Sequence, residues 1–222
     1  CFYSFFVLRF FQYFLDLLRQ AGLKVSGSYE YEFHYFPEDG EKVDSLLREH
    51  ALDPARLVAI NPGANWTPKR WPPENFRHLM DRLIASYGVQ IVITGSGEDA
   101  PLAEMILNHG RPARPSVISL CGKTTLRELG ALFAKCRLIV SNDTGPLHIA
   151  AGVGANVVGL IGPTAPWETA PLGRGRNILI HYAPNEMALP WKGKRFPTPW
   201  MELISVDSVL EVIEKEKLLC HP

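Results

Sequence analysis

The residues best placed to do chemistry lie in 138–150, Leu-Ile-Val-Ser-Asn-Asp-Thr-Gly-Pro-Leu-His-Ile-Ala. Leu138, Ile139 and Val140 form a short apolar run with the pattern of a buried parallel strand, and polar residues end it. Asn142 to Pro146 then supply a turn and a helix start. Asp143 or Thr144 can act as N-cap, and Pro146 suits the first helical turn, where its missing N–H costs nothing. Gly145 lets a ligand approach the backbone, and the free N–H groups with the helix dipole favour an anion. His148 falls in the first turn and can point a ring nitrogen at that anion. The chemistry on offer is recognition of a diphosphate.

Such a turn needs a scaffold, and the flanking sequence supplies one. Strands are expected at Leu57–Ile60, Val89–Thr94, Val117–Leu120, Asn156–Ile161 and Ile178–His181. Helices are expected at Phe11–Ala21, Gly40–His50, Glu74–Tyr87, through Leu102, Met105 and Ile106, and at Leu126–Cys136 and Val206–Lys217. Residues 23–40 read as irregular, with a hint of a strand among Tyr29, Tyr31, Phe33, Tyr35 and Phe36, and 183–200 as Pro- and Trp-rich loop. Strands alternating with helices of this length imply an α/β fold with a doubly wound parallel sheet. Ligands of such sheets bind beyond the carboxyl ends of the strands. The loops Asn61–Trp71, Gly95–Asp99, Gly122–Thr125, Asn142–His148 and Gly162–Pro166 all leave strands at that edge.

Composition narrows the partners. Among 222 residues, 23 Lys and Arg balance 23 Asp and Glu, so no nucleic-acid footprint is indicated. The cysteines, Cys1, Cys121, Cys136 and Cys220, are far apart with no CxxC pair, which favours free thiols in a reducing compartment. There is no DxD and no His/Cys cluster, so neither a metal nor a cofactor is expected. The aromatic first residues are interrupted by Arg9, Gln12 and Asp16 and lack a basic leader and a small-residue cleavage site. They read as a helix packed on protein, with at most peripheral membrane contact, rather than a membrane span or signal peptide. The start at Cys1 suggests a fragment.

Residues 57–170 resemble the C-terminal domain of the bacterial lipopolysaccharide heptosyltransferases, glycosyltransferase family 9. The matching stretches are Asn61-Pro62-Gly63-Ala64 leading to Lys69-Arg70-Trp71-Pro72, Thr94-Gly95 with Glu98, Gly122-Lys123-Thr124-Thr125-Leu126, Ser141 to His148, and Gly162-Pro163-Thr164. The resemblance implies a Rossmann-like sheet forming the C-terminal half of a two-domain GT-B glycosyltransferase. Residues 1–50 would then be the end of the N-terminal acceptor domain and linker, 51–200 the nucleotide-sugar domain, and 201–222 a closing helix.

The same resemblance implies site roles. Lys69 would meet the donor phosphates, with a solvated loop shared with Arg70 as the alternative. Ala64, through its backbone, and Asn65 would lie near them, and Trp71-Pro72 would clamp the helix start. Glu98 would take the ribose hydroxyls or simply serve the helix dipole. Lys123 and Thr124 would line the adenine pocket, or the stretch would be a plain cap with Thr125 and Glu128. Asp143 would accept from sugar hydroxyls or act as a cap, and Thr144, Gly145 and His148 would hold the diphosphate. Implied overall is inverting transfer of heptose from ADP-heptose to a lipid-linked saccharide, with Lys69 and His148 in the catalytic roles. An aspartate of the absent N-terminal half would be the base, so the chain alone would be inactive. The setting implied is the cytoplasm, at the inner face of the bacterial inner membrane. A donor other than ADP-heptose, or a non-catalytic nucleotide-binding module, are the alternatives.

Overall fold

The computed structural model describes residues 15–25, 32–108, 116–182 and 200–219. Its centre is a fully parallel sheet of six strands: β1 (Leu57–Asn61), β2 (Gln90–Ile93), β3 (Val117–Ser119), β4 (Leu138–Asn142), β5 (Val157–Ile161) and β6 (Asn177–His181). Every residue of β1, β4 and β5 is buried, because helices cover both faces. Within β1 the two-residue period divides the core. Val58 and Ile60 face one apolar cluster, Leu57 and Ala59 the other.

Residues 15–20 are helical (α1), and further helices follow at α2 (Pro37–Glu49), α3 (Pro73–Tyr87), α4 (Ala100–Asn108), α5 (Leu126–Ala134), α6 (Gly145–Gly152), α7 (Pro166–Thr169) and α8 (Val206–Lys215). Helices α3, α4 and α8 feed the first cluster through Phe76, Leu79, Ile106, Val209 and Ile213. Helices α2, α5 and α6 feed the second through Val43, Leu47, Leu132 and Leu147.

The strand order β3-β2-β1-β4-β5-β6 places the functional edge. The chain winds outward from β1 to β3, then returns to lay β4 on the other side of β1. Loops leaving β1 and β4 therefore diverge to opposite faces and open a crevice between them.

Several boundaries differ from the sequence expectation. Helix α2 begins at Pro37 rather than Gly40, because the Asp39 carboxylate accepts from the Phe36 N–H at 2.9 Å and Pro37 is preset for a first turn. Of the residues that marked α4 in the sequence, Ile106 is buried with Ala103 in the core, while Met105 is 56% exposed. Helix α7 falls within and beyond the Gly162–Pro166 loop, where no helix was expected. Residues 32–36 join no strand; Phe33 donates its N–H to Gly152 O at 2.9 Å and lays its ring on Gly130. Tyr29, Tyr31 and 183–199 lie outside the described residues. Among the described residues, no helix is long and apolar enough to cross a membrane.

Candidate active site

The crevice is braced by two asparagines at the ends of its flanking strands. Asn142, fully buried, donates from Nδ2 to Pro62 O at 2.8 Å and accepts the Trp71 N–H at 3.2 Å. It thereby ties down both ends of loop 62–71. Asn61 accepts from Thr94 Oγ1 at 3.3 Å and donates to Thr144 Oγ1 at 3.4 Å. Trp71 is the clamp expected at the helix start: 1% exposed, edge-on to Phe76 at 4.9 Å, its indole N–H donating to Ile204 O at 2.8 Å.

This bracing brings Lys69 to the turn after β4. Lys69 ends the 3-10 turn Thr67–Lys69, and its Nζ lies 2.7 Å from Asp143 Oδ2 and 3.4 Å from Asp143 O. The pair is largely shielded, with side chains 16% and 3% exposed. Lys69 is therefore no solvated loop residue, unlike the exposed Arg70, whose Nε donates to Ala64 O at 2.8 Å. An ammonium has three protons, so Lys69 keeps donor capacity beyond Asp143.

Asp143 is not the helix cap. Thr144 occupies the N-cap of α6 and its side chain makes no capping hydrogen bond. The Asp143 carboxylate instead turns back to take Lys69, the Thr164 hydroxyl at 2.6 Å and the Thr169 hydroxyl at 3.5 Å, all on Oδ2. In the first turn Leu147 donates its N–H to Thr144 O at 3.0 Å and Pro146 has none, so the dipole end of α6 that suits an anion is presented at Gly145. Gly145 is exposed, with nothing within 4 Å of where a Cβ would stand. His148 sits close enough to feel both charges. Burial pulls its pKa below the ordinary value, Asp143 pushes it back up, and Lys69 pulls it down again, the net shift being downward.

The other expected residues gather beside β2 and β3 at the same sheet edge. Glu98 is exposed in the 3-10 turn Gly97–Asp99. Its neighbour Asp99, which the sequence reading did not single out, accepts from Ser96 N and Oγ, both at 2.8 Å. A Cβ on Gly63 or Gly95 would fall 2.6 or 2.8 Å from the Asp99 side chain. Those two glycines were the available signal that a side chain is wedged between the β1 and β2 loops. Lys123 is exposed and Thr124 half-buried, while Thr125 caps α5 reciprocally with Glu128. Ala64 is buried and Asn65 exposed. Lys69, Asp143, Thr144, Gly145 and His148 thus form one group, and Glu98, Lys123 and Thr124 flank it on touching loops, Gly97 lying against Gly122.

A six-stranded parallel sheet that reverses its winding between β1 and β4, with Lys69 and the start of α6 at that point, defines a doubly wound α/β protein. The family model for glycosyltransferase family 9 (heptosyltransferase) matches residues 13–194, and the chain belongs to that family. It is 32% identical over 181 residues to lipooligosaccharide heptosyltransferase 2 of Haemophilus influenzae, covering 81% of this chain and 50% of that protein. The structure of E. coli ADP-heptose lps heptosyltransferase II matches with TM-score 0.68 and 28% identity, over 85% of this chain and 53% of that one. A family 9 glycosyltransferase from Veillonella parvula superposes with TM-score 0.74 at 24% identity, covering 92% of this chain and 58% of that one, a likeness of fold. The chain spans about half the length of the curated relatives it matches.

Proposed function

We propose that this chain is the donor-binding half of a heptosyltransferase that takes heptose from ADP-heptose to a lipopolysaccharide core saccharide. The observation that supports it best is the convergence of Lys69, the exposed Gly145 at the start of α6 and His148 at the switch point. The relatives' names supply the sugar and the acceptor class.

In this reading the diphosphate lies along Thr144 and Gly145, and Lys69 turns part of its donor capacity from Asp143 to the phosphate oxygens. As the sugar–phosphate bond breaks, the departing ADP gains negative charge, which Lys69 and the α6 N–H groups are already placed to meet. The lowered pKa of His148 favours an uncharged ring, which would donate one ring N–H without adding a second full charge. Asp143 Oδ1 accepts no hydrogen bond from a described residue, which leaves it for a sugar hydroxyl. Glu98 would take the ribose, Lys123 and Thr124 the adenine, and the backbone of Ala64 with Asn65 the phosphate margin. The acceptor hydroxyl would be deprotonated by an aspartate of an N-terminal domain like that of the longer relatives, giving inversion. Residues 51–200 would form the donor domain. The work would proceed in the cytoplasm at the inner face of the inner membrane, with at most peripheral lipid contact.

Calorimetric titration with ADP, UDP and GDP tests the donor. Preferential uptake of ADP is expected; preference for UDP or GDP would transfer the site to another nucleotide sugar, and no uptake of any would end the proposal. Heptose transfer is expected once the chain is joined to an N-terminal acceptor domain. Binding without transfer in that joined protein would make it a nucleotide-binding module instead.

A further inference from the structure

The Gly162-Pro163-Thr164 stretch carries no group assigned to the donor, yet Thr164 makes the shortest hydrogen bond to the Asp143 carboxylate. Its hydroxyl donates to Oδ2 at 2.6 Å, and the residue is 7% exposed. Lys69 reaches the same oxygen at 2.7 Å. Thr169 also approaches it, at 3.5 Å, but a hydroxyl has one proton, and Ala165 O is the nearer acceptor at 3.3 Å. Thr164 has no other acceptor among the described residues, so its proton is committed to Asp143.

That commitment has two physical effects. It fixes the rotation of the carboxylate, because the bond crosses from the loop after β5 to the loop after β4. It also shares the negative charge of Oδ2 between a hydroxyl and an ammonium, which weakens the grip of Asp143 on Lys69. Without the hydroxyl, Oδ2 would rest on Lys69 alone and the carboxylate could turn.

We infer that Thr164 is a positioning residue: through Asp143 it sets where the Lys69 ammonium stands and how readily it transfers to a nucleoside diphosphate. This rests on the donor-binding reading above.

The test compares Thr164→Val, which keeps the shape and removes the proton donor, with Thr164→Ser, which keeps the donor. ADP affinity is measured by calorimetry in each, alone and combined with Lys69→Ala. In parallel, the side-chain ammonium resonance of Lys69 is followed by nitrogen NMR without ligand, assigned through Lys69→Arg. Thr164→Val is expected to weaken ADP about fivefold and to move the Lys69 resonance, Thr164→Ser to do neither, and the loss to vanish where Lys69 is already alanine. Should Thr164→Val lower the melting temperature too far, Thr164→Ala takes its place against Thr164→Ser. Unchanged affinity in the valine variant, an equal loss in the serine variant, or a full loss persisting without Lys69 would overturn the inference. If the unaltered protein binds no nucleoside diphosphate, the donor reading fails. The resonance then decides positioning separately: unmoved in Thr164→Val overturns it, moved there and restored in Thr164→Ser upholds it.

Discussion

Lys69 and Asp143 hold one another at 2.7 Å, so in the proposed donor-binding role the arrival of an anion would be an exchange of partners. The exchange favours a diphosphate, which offers more charge than one carboxylate. Lys69→Ala is expected to weaken ADP at least tenfold, about 1.4 kcal/mol, by calorimetry, and an unchanged affinity would remove Lys69 from the site. A second expectation concerns acid. His148 and His181 both have pKa values lowered from 6.5, chiefly by burial, so the unfolded chain binds protons more readily than the folded one. Their contribution is fully present above pH 6.5 and is lost as pH falls through their lowered folded values. Melting temperatures followed downward from about pH 8 should decline, with a shallower slope in His148→Gln and in His181→Gln. A slope unaltered by either change would refute this. Thr144, Gly145 and His148 were legible in the sequence because strand, turn and helix start lie within a few residues. The bonds of Asp143 were not. Lys69 and Thr164 are 74 and 21 residues away, and only the strand order makes them neighbours.

At the scale of elements, the loops follow local rules to different degrees. The capping box on α5 was visible as Thr125 and Glu128, and Thr125→Ala should cost about 1 kcal/mol in chemical denaturation while leaving ADP affinity intact. A loss of affinity as large as that of Lys69→Ala would instead make this stretch part of the phosphate site. The wedge of Asp99 was invisible, because glycines announce a close approach without saying what approaches. Gly63→Ala would drive a methyl into that carboxylate, 2.6 Å away, and should both destabilise the fold and weaken ADP by displacing the Lys69 loop. Affinity and melting temperature both left unchanged would show that the loop yields freely. Helix α4 shows another limit: its apolar residues run all round, so the sequence offered Met105 to the core as readily as Ala103, and only the packing against β3 and α3 chose between them.

For the molecule as a whole, alternation of apolar runs made the doubly wound sheet readable, since strands buried on both faces have few other ways to satisfy their backbone. What the sequence did not disclose is how the two ends of the domain are joined. The Trp71 indole N–H ends on Ile204, and Met201 presses against Gly162 so closely that a Cβ there would come within 2.5 Å of its sulfur. The tail leading into α8 is therefore held against both the lysine loop and the threonine loop. Exposed Leu203 ends the same 3-10 turn, Trp200–Leu203, so a fluorophore fixed there is expected to change its emission as ADP fills the crevice, and constant emission would show that the tail does not sense it.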